Sequence, residues 1–437
     1  MSDFRPLELD PLHPKRHLRT LHTPFGPRAV YDSASFCTRC GSCQQACPTY
    51  VLTAEETFSP RGRNQAVRLA AEGKLNPAQN KELLSQLVNS CLLCGRCTQA
   101  CAGKIPTAEH MLELRRTLNE RALPALLHTL LSWRSRRPGL FRFIVRAGLA
   151  LRRAGAVRLL RLMGLTRLPG LTWINHADDI LPARTPAFAK RLRQAQIPAA
   201  PQDPALIYLP SLEAEFFMPD LAASVLQTAA PKRGAHIWQN TPSGLFEYVY
   251  GNVRQSRRLV KNLIRRREQT GDGKLPLLTD SVDVYLFLRR APQLFERWPR
   301  WQKKARDFAE HVLFITDFMP KKPARAAEIA SPVRLDYSAL FQREGEPFAA
   351  AQKTLKTLFK KNFVECLYKD ADTPAFGYGF VRHNLAERVC MDAVRSIART
   401  QTGTVFTLSG LSALELDFCL KQFYPYAKAD HFARLNG

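Results

Sequence analysis

The chain has 437 residues, 45% of them hydrophobic, which is enough for sizeable cores and sets it apart from disordered chains. Lys and Arg outnumber Asp and Glu by 64 − 38 = 26, so an anionic partner is expected: a membrane surface, an acidic protein or nucleic acid. No run of eighteen apolar residues occurs, so no spanning helix is expected, and the opening stretch MSDFRPLELDPLHPKRHLRT lacks the apolar centre of a secretory signal.

Residues 1–30 read as an N-terminal extension and residues 31–120 as the first domain. That domain carries CTRCGSCQQACPTY, with Cys37, Cys40, Cys43 and Cys47, and then CLLCGRCTQAC, with Cys91, Cys94, Cys97 and Cys101. Both blocks follow C-x2-C-x2-C-x3-C. Eight of 11 cysteines sit in them, and in a chain without a secretory signal such clusters read as metal ligands rather than disulfides. A tight loop can set three thiolates around an iron–sulfur cube, and the fourth must come from elsewhere. In two-cluster ferredoxins the last cysteine of each block ligates the other cluster. The expected cofactors are therefore two [4Fe–4S] clusters, one held by Cys37, Cys40, Cys43 and Cys101, the other by Cys91, Cys94, Cys97 and Cys47. Two zinc sites are the plainer alternative, but zinc needs only four ligands at paired spacing. Gly41 and Gly95 relieve crowding in the loops. Arg39 and Arg96, between the ligands, either favour a reduced, more negative cluster or are simply solvated. Between the blocks, SPRGRNQAVRLAAEGKL and NKELLSQLV repeat apolar residues at helical spacing, so the clusters are expected to sit between helices.

The motifs CTRCGSCQQACPTY, SPRGR (Ser59 to Arg63) and CLLCGRCTQAC resemble the iron–sulfur subunit of glycolate oxidase. They are also similar to the related subunits of lactate utilisation, anaerobic glycerol-3-phosphate dehydrogenase and heterodisulfide reductase. The resemblance implies a helical ferredoxin domain that carries electrons from a flavin-containing dehydrogenase subunit, of 2-hydroxy-acid type, toward membrane quinone or another acceptor. In the block's second copy Ala102 stands where the pattern has proline, which bears on loop rigidity and not on the ligands.

Residues 121–200 read as a basic helical linker. Residues 121–177 contain no acidic residue, and Arg142, Arg146 and Arg153 fall on one helical face with apolar residues between. Such a segment either lies in a lipid interface, on the inner face of the cytoplasmic membrane, or packs on its own domain. From residue 201 to 437 the pattern turns α/β, with strands at ALIYLP, GAHIWQ and LPLLTD, then a second copy with VRLDYS, FVECLY and TVFTLS. This duplicated domain has halves at about 203–325 and 330–437, and the whole chain is expected to be an α+β multidomain protein. The resembling subunits carry a cysteine-rich CCG motif in each half. Here NTPSGLFEYVYGN and KDADTPAFGYGF stand in its place, and LPSLE and DYSAL stand where a strand-end cysteine is expected. Residues 203–437 are therefore expected to hold no metal, with Cys366, Cys390 and Cys419 as core residues.

There is no G-x-G-x-x-G after a strand, no P-loop and no G-x-S-x-G, so no catalytic residue is assigned. His110 has no ligand spacing; Glu213 and Glu215 are expected to face solvent, and the basic helix from Arg254 to Glu268 to present a solvated face. The function expected is non-catalytic electron transfer within an oxidoreductase complex. The alternatives are a basic nucleic-acid-binding protein or a structural assembly protein with structural clusters; the absence of a helix-turn-helix or aromatic stacking platform makes nucleic acid the weaker partner.

Overall fold

A computed structural model describes residues 20–23, 26–76, 79–118, 125–168, 171–182, 185–198, 201–231, 233–336, 346–366 and 379–436. After a short hairpin, β1 (Thr20–Thr23) and β2 (Gly26–Ala29), the first region is helical. It comprises α1 (Val30–Ser35), α2 (Pro48–Thr53), α3 (Pro60–Ala71), α4 (Lys81–Asn89), α5 (Arg96–Ala100) and α6 (Thr107–Thr117). Proline opens both α2 and α3, where its missing N–H costs nothing, and the Ser59 hydroxyl accepts from the Gly62 amide to cap α3. The cysteine loops fall in the gaps of this helical set.

The second half of the chain is built on two parallel sheets. In the first, β3 (Leu206–Leu209), β4 (Ala235–Ile237), β5 (Leu277–Thr279) and β6 (Val312–Phe314) run in the order β4-β3-β5-β6. In the second, β7 (Val333–Leu335), β8 (Phe363–Val364), β9 (Thr404–Thr407) and β10 (Lys428–His431) run β10-β9-β7-β8. Numbered within its own half, each sheet has the order second, first, third, fourth. The two sheets thus share one strand order. Strands β3, β5, β7 and β9 are buried throughout, as expected of parallel strands covered by helices on both faces. The helix Val253–Glu268 turns Leu259, Val260, Leu263 and Ile264 inward, and it stacks Arg257, Lys261 and Arg265 over Trp298 and Trp301. So its basic face is partly packed rather than fully solvated. Strands β6 and β10, short and polar-flanked, were not expected from the sequence. The motif replacement at 369–380 and the DYSAL stretch fall largely on residues outside those described.

One expectation is corrected. Glu213 and Glu215 are 4% and 5% exposed, so they face the interior, not solvent. They sit in a short helix, Leu212–Phe216, whose cap Ser211 is bonded to Asp280, and in a helix alternation of charge says nothing about side. The arginine-rich segment forms α7 (Ala125–Arg136), α8 (Pro138–Arg153) and α9 (Ala156–Leu162), and it packs on its own chain. Arg134 is buried and lies 3.7 Å from Glu215, whose carboxyl also feels Arg142 and Arg146. Arg152 binds Asp178 at 2.6 Å, Arg161 binds Asp179 at 2.6 Å, and Arg153 donates to the Thr185 carbonyl. Much of that charge is therefore internally satisfied. What α8 and α9 present outward includes Phe143, Leu151, Leu159 and Leu162. Among the described residues no helix is long and apolar enough to cross a membrane.

Candidate metal centre

The two cysteine loops repeat one backbone shape. In the first, Arg39 and Gly41 flank Cys40 with φ of 60° and 86°; in the second, Leu93 and Gly95 flank Cys94 with φ of 58° and 70°. Left-handed residues on both sides of a ligand turn successive amides toward one concave point, a shape suited to anionic sulfur. Glycine takes this conformation freely. At Arg39 and Leu93 it costs about 1 kcal/mol, which a local shape used twice implies is offset by what the loops hold.

The loops bring the cysteines together across the blocks. Burial, then the charges of Cys37 and Cys101, push the Cys43 thiol up to about 11. Burial pushes Cys94 up to about 12, with Arg96 opposing and Cys47 and Cys91 adding. Cys97 lies well above its ordinary value for the same reasons, burial first and then Cys47, Cys94 and Cys91, with Cys43 also in reach. Cys101 of the second block thus stands with Cys37 and Cys43, and Cys47 of the first with Cys91, Cys94 and Cys97. Cys40, exposed, is drawn down by hydrogen bonds from Ser42. Buried thiols this crowded resist ionisation, so binding a cationic core there releases protons and supplies the charge that keeps them as thiolates. Among the described residues no three His, Cys, Asp or Glu side chains are drawn together as one metal ion would require.

SPRGR connects the two loops. Ser59 caps α3 and also donates to Glu56 at 2.9 Å. Arg61 pairs with Glu56 at 2.5 Å and donates to the Arg39 carbonyl at 3.1 Å, while its backbone amide reaches Cys43. Gly62 is packed so closely that a Cβ would stand 2.1 Å from the Glu56 carbonyl oxygen. Arg63, 2% exposed, points the other way and donates to Cys47 Sγ at 3.5 Å and to Ser90 Oγ at 2.9 Å. Thr49 ties α2 to the Ser90 carbonyl at 2.9 Å, one residue before Cys91. His110 is a core residue. It bridges Asn64 at 2.8 Å and Ser33 at 2.9 Å, and burial holds it neutral with its pKa lowered to about 3.

Sequence reasoning placed a possible charge effect at Arg39 and Arg96. Arg39 is exposed, whereas Arg96 is buried and acts on Cys94. It missed Arg63 and Arg115. Arg115 is fully buried, donates to the carbonyls of Val88 at 2.7 Å and Val249 at 3.0 Å, and its charge reaches Cys91. The signal for Arg63 was its place in SPRGR; for Arg115, on an ordinary helical face, there was none.

Residues 33–105 match the model of the 4Fe-4S dicluster domain. With the eight cysteines inside that span, the chain carries an N-terminal 4Fe–4S ferredoxin-like domain. The chain is 32% identical over 121 residues to the glycolate oxidase iron-sulfur subunit of Escherichia coli (strain K12), covering 26% of this chain and 28% of that one. It is 27% identical over 107 residues to the probable glycolate oxidase iron-sulfur subunit of Bacillus subtilis (strain 168), covering 24% and 23%. The aligned stretch thus spans about a quarter of the length of these relatives. The resemblance read from the motifs holds at this level. No solved structure matches the chain.

The α/β half has its own buried polar cluster where strand-end cysteines were expected. Asp280, just past β5, accepts from the Ser211 amide at 2.8 Å and from Tyr208 Oη at 3.0 Å. Burial raises Asp280 to about 6, and raises Glu213 to about 8, with the charge of Asp280 adding in the latter case. Cys390 and Cys419, far apart in sequence, meet on facing helices within the core.

Proposed function

We propose that this chain is an iron–sulfur electron-transfer subunit. It accepts electrons from a flavin-dependent dehydrogenase partner of 2-hydroxy-acid type and passes them toward membrane quinone or another acceptor. The ligand sets are Cys37, Cys40, Cys43 and Cys101 for one [4Fe–4S] cluster, and Cys91, Cys94, Cys97 and Cys47 for the other. The observation that supports this reading is that Cys43 feels the charges of Cys37 and Cys101, while Cys97 feels those of Cys47, Cys94 and Cys91 and, more weakly, of Cys43. Two adjacent one-electron centres suit a donor, such as a reduced flavin, that gives up two electrons singly. The clusters supply the redox chemistry. The chain's residues hold them, set their exposure and surround them with charge. The likeness to two glycolate oxidase iron-sulfur subunits supports an oxidase complex as the setting.

Anaerobic purification tests it. A brown protein is expected, with about eight irons per chain and a paramagnetic signal after dithionite. Zinc in their place, or no iron, overturns the reading.

The acceptor side of the proposal places the chain on the inner face of the cytoplasmic membrane. Its support is the outward apolar set on α8 and α9, with Phe143 at 69% and Leu162 at 79% exposed, beside arginines and far from acidic side chains in sequence. We expect sedimentation with anionic liposomes at low salt and release at high salt. Phe143→Ser with Leu162→Ser should weaken sedimentation several-fold, and more than Arg142→Gln, because Arg142 serves Glu215. Unchanged sedimentation in the double variant removes the membrane from the reading.

A further inference from the structure

Arg63 is a buried cation for which no carboxylate partner exists among the described residues. Its guanidinium donates to Cys47 Sγ, to Ser90 Oγ and, at 3.5 Å, to the Leu87 carbonyl. A buried guanidinium with only neutral partners is costly, and an anionic centre held by Cys47 and its partners would offset that cost. Cys47 Sγ lies 3.5 Å from Arg63, and Ser90, which Arg63 also binds, adjoins Cys91. Two further buried arginines stand nearby, Arg96 beside Cys94 and Arg115 beside Cys91. The first site is built differently. Its arginine, Arg61, is paired with Glu56 and its Cys40 is exposed, so cation and water are both already compensated.

Burial and cations pull a cluster's potential in opposite directions. A low dielectric penalises the extra electron, and a neighbouring positive charge favours it. Contact with an uncompensated cation in that same low dielectric is several-fold stronger than at a surface, so at the second site the cation wins. We propose that Arg63 is a potential-setting residue, which stabilises the reduced form of the cluster held by Cys91, Cys94, Cys97 and Cys47 and makes that cluster the electron-collecting member of the pair. This rests on the electron-transfer reading above. One electron is taken up per cluster; no bond breaks, and Arg63 remains protonated.

The test is a redox titration of the anaerobic full-length protein with dithionite and mediators, followed by electron paramagnetic resonance, for wild type, Arg63→Gln and Arg63→Lys. In Arg63→Gln the reduction equilibrium of one cluster should fall roughly ten- to hundredfold, at about 59 mV per factor of ten, while the other stays put. Arg63→Lys should keep most of the wild-type value, since the charge remains. Equal shifts in both clusters, or none in a fully loaded Gln variant, overturn the inference. Should Arg63→Gln fail to load the second cluster, Arg63→Lys decides alone: a potential near wild type supports the proposal, and a tenfold fall refutes it. Absence of iron from the wild-type chain would instead sink the reading beneath it.

Discussion

Cys47→Ser should empty the cluster site of the distant block and spare its own. Iron should fall from about eight to about four per chain, and the remaining signal should belong to the site of Cys37, Cys40 and Cys43. The reason lies in where α2 starts. Cys47 precedes Pro48 at the head of that helix, and Thr49 fastens the helix to Ser90, next to Cys91. The fourth thiol of the first block is thereby carried out of its own loop and into the second. Serine keeps the helix start but offers an alkoxide precursor with a much higher pKa than a thiol, so it does not replace a thiolate. Arg63 also loses its sulfur acceptor, leaving a buried cation less compensated. Iron analysis and electron paramagnetic resonance on the same sample decide it. Loss of only the cluster served by Cys37, Cys40 and Cys43 would refute the crossing.

Glu213→Gln should stabilise the protein at alkaline pH and change little at pH 5. Glu213 is buried, faces the charges of Asp280 and Asp283, and is raised to about 8 in the fold. It packs against the backbone of Gly410, where a Cβ would lie 2.5 Å from Glu213 Cγ, so it cannot swing out without opening the contact between the two halves. In the unfolded chain its pKa returns to the ordinary carboxylate range. The folded state therefore binds more protons between those two values. Its contribution is fully present below the unfolded pKa and is lost as pH rises through about 8. Glutamine keeps the shape and never ionises. At pH 9 the gain should reach a few kcal/mol, reduced by relaxation around the site. Thermal unfolding under argon at pH 5 and pH 9 measures it; a variant no more stable than wild type at pH 9 removes the argument.

The cysteine loops were legible because their chemistry is local: ligand spacing, glycine after the second cysteine and a proline-headed helix are all written between Cys37 and Pro48. Strands such as Leu206–Leu209 and Thr404–Thr407 were legible because fully buried parallel strands read as short apolar runs. What failed was anything decided by tertiary partners. Glu213 and Glu215 look like solvent-facing acids until β5 delivers Asp280 and α7 delivers Arg134. Arg115 is invisible because both of its acceptors are carbonyls, and one of them lies 134 residues away in the chain.

That long-range bond ties the second site to the α/β half. Val249 takes one arm of Arg115, while Leu92 and Cys94 pack against Val389 and Leu385 of the helix Gly379–Arg399. Cys47 and Cys91 of the second set are buried, whereas Cys40 of the first lies at the surface. The α/β half thus supplies part of the wall of the second site.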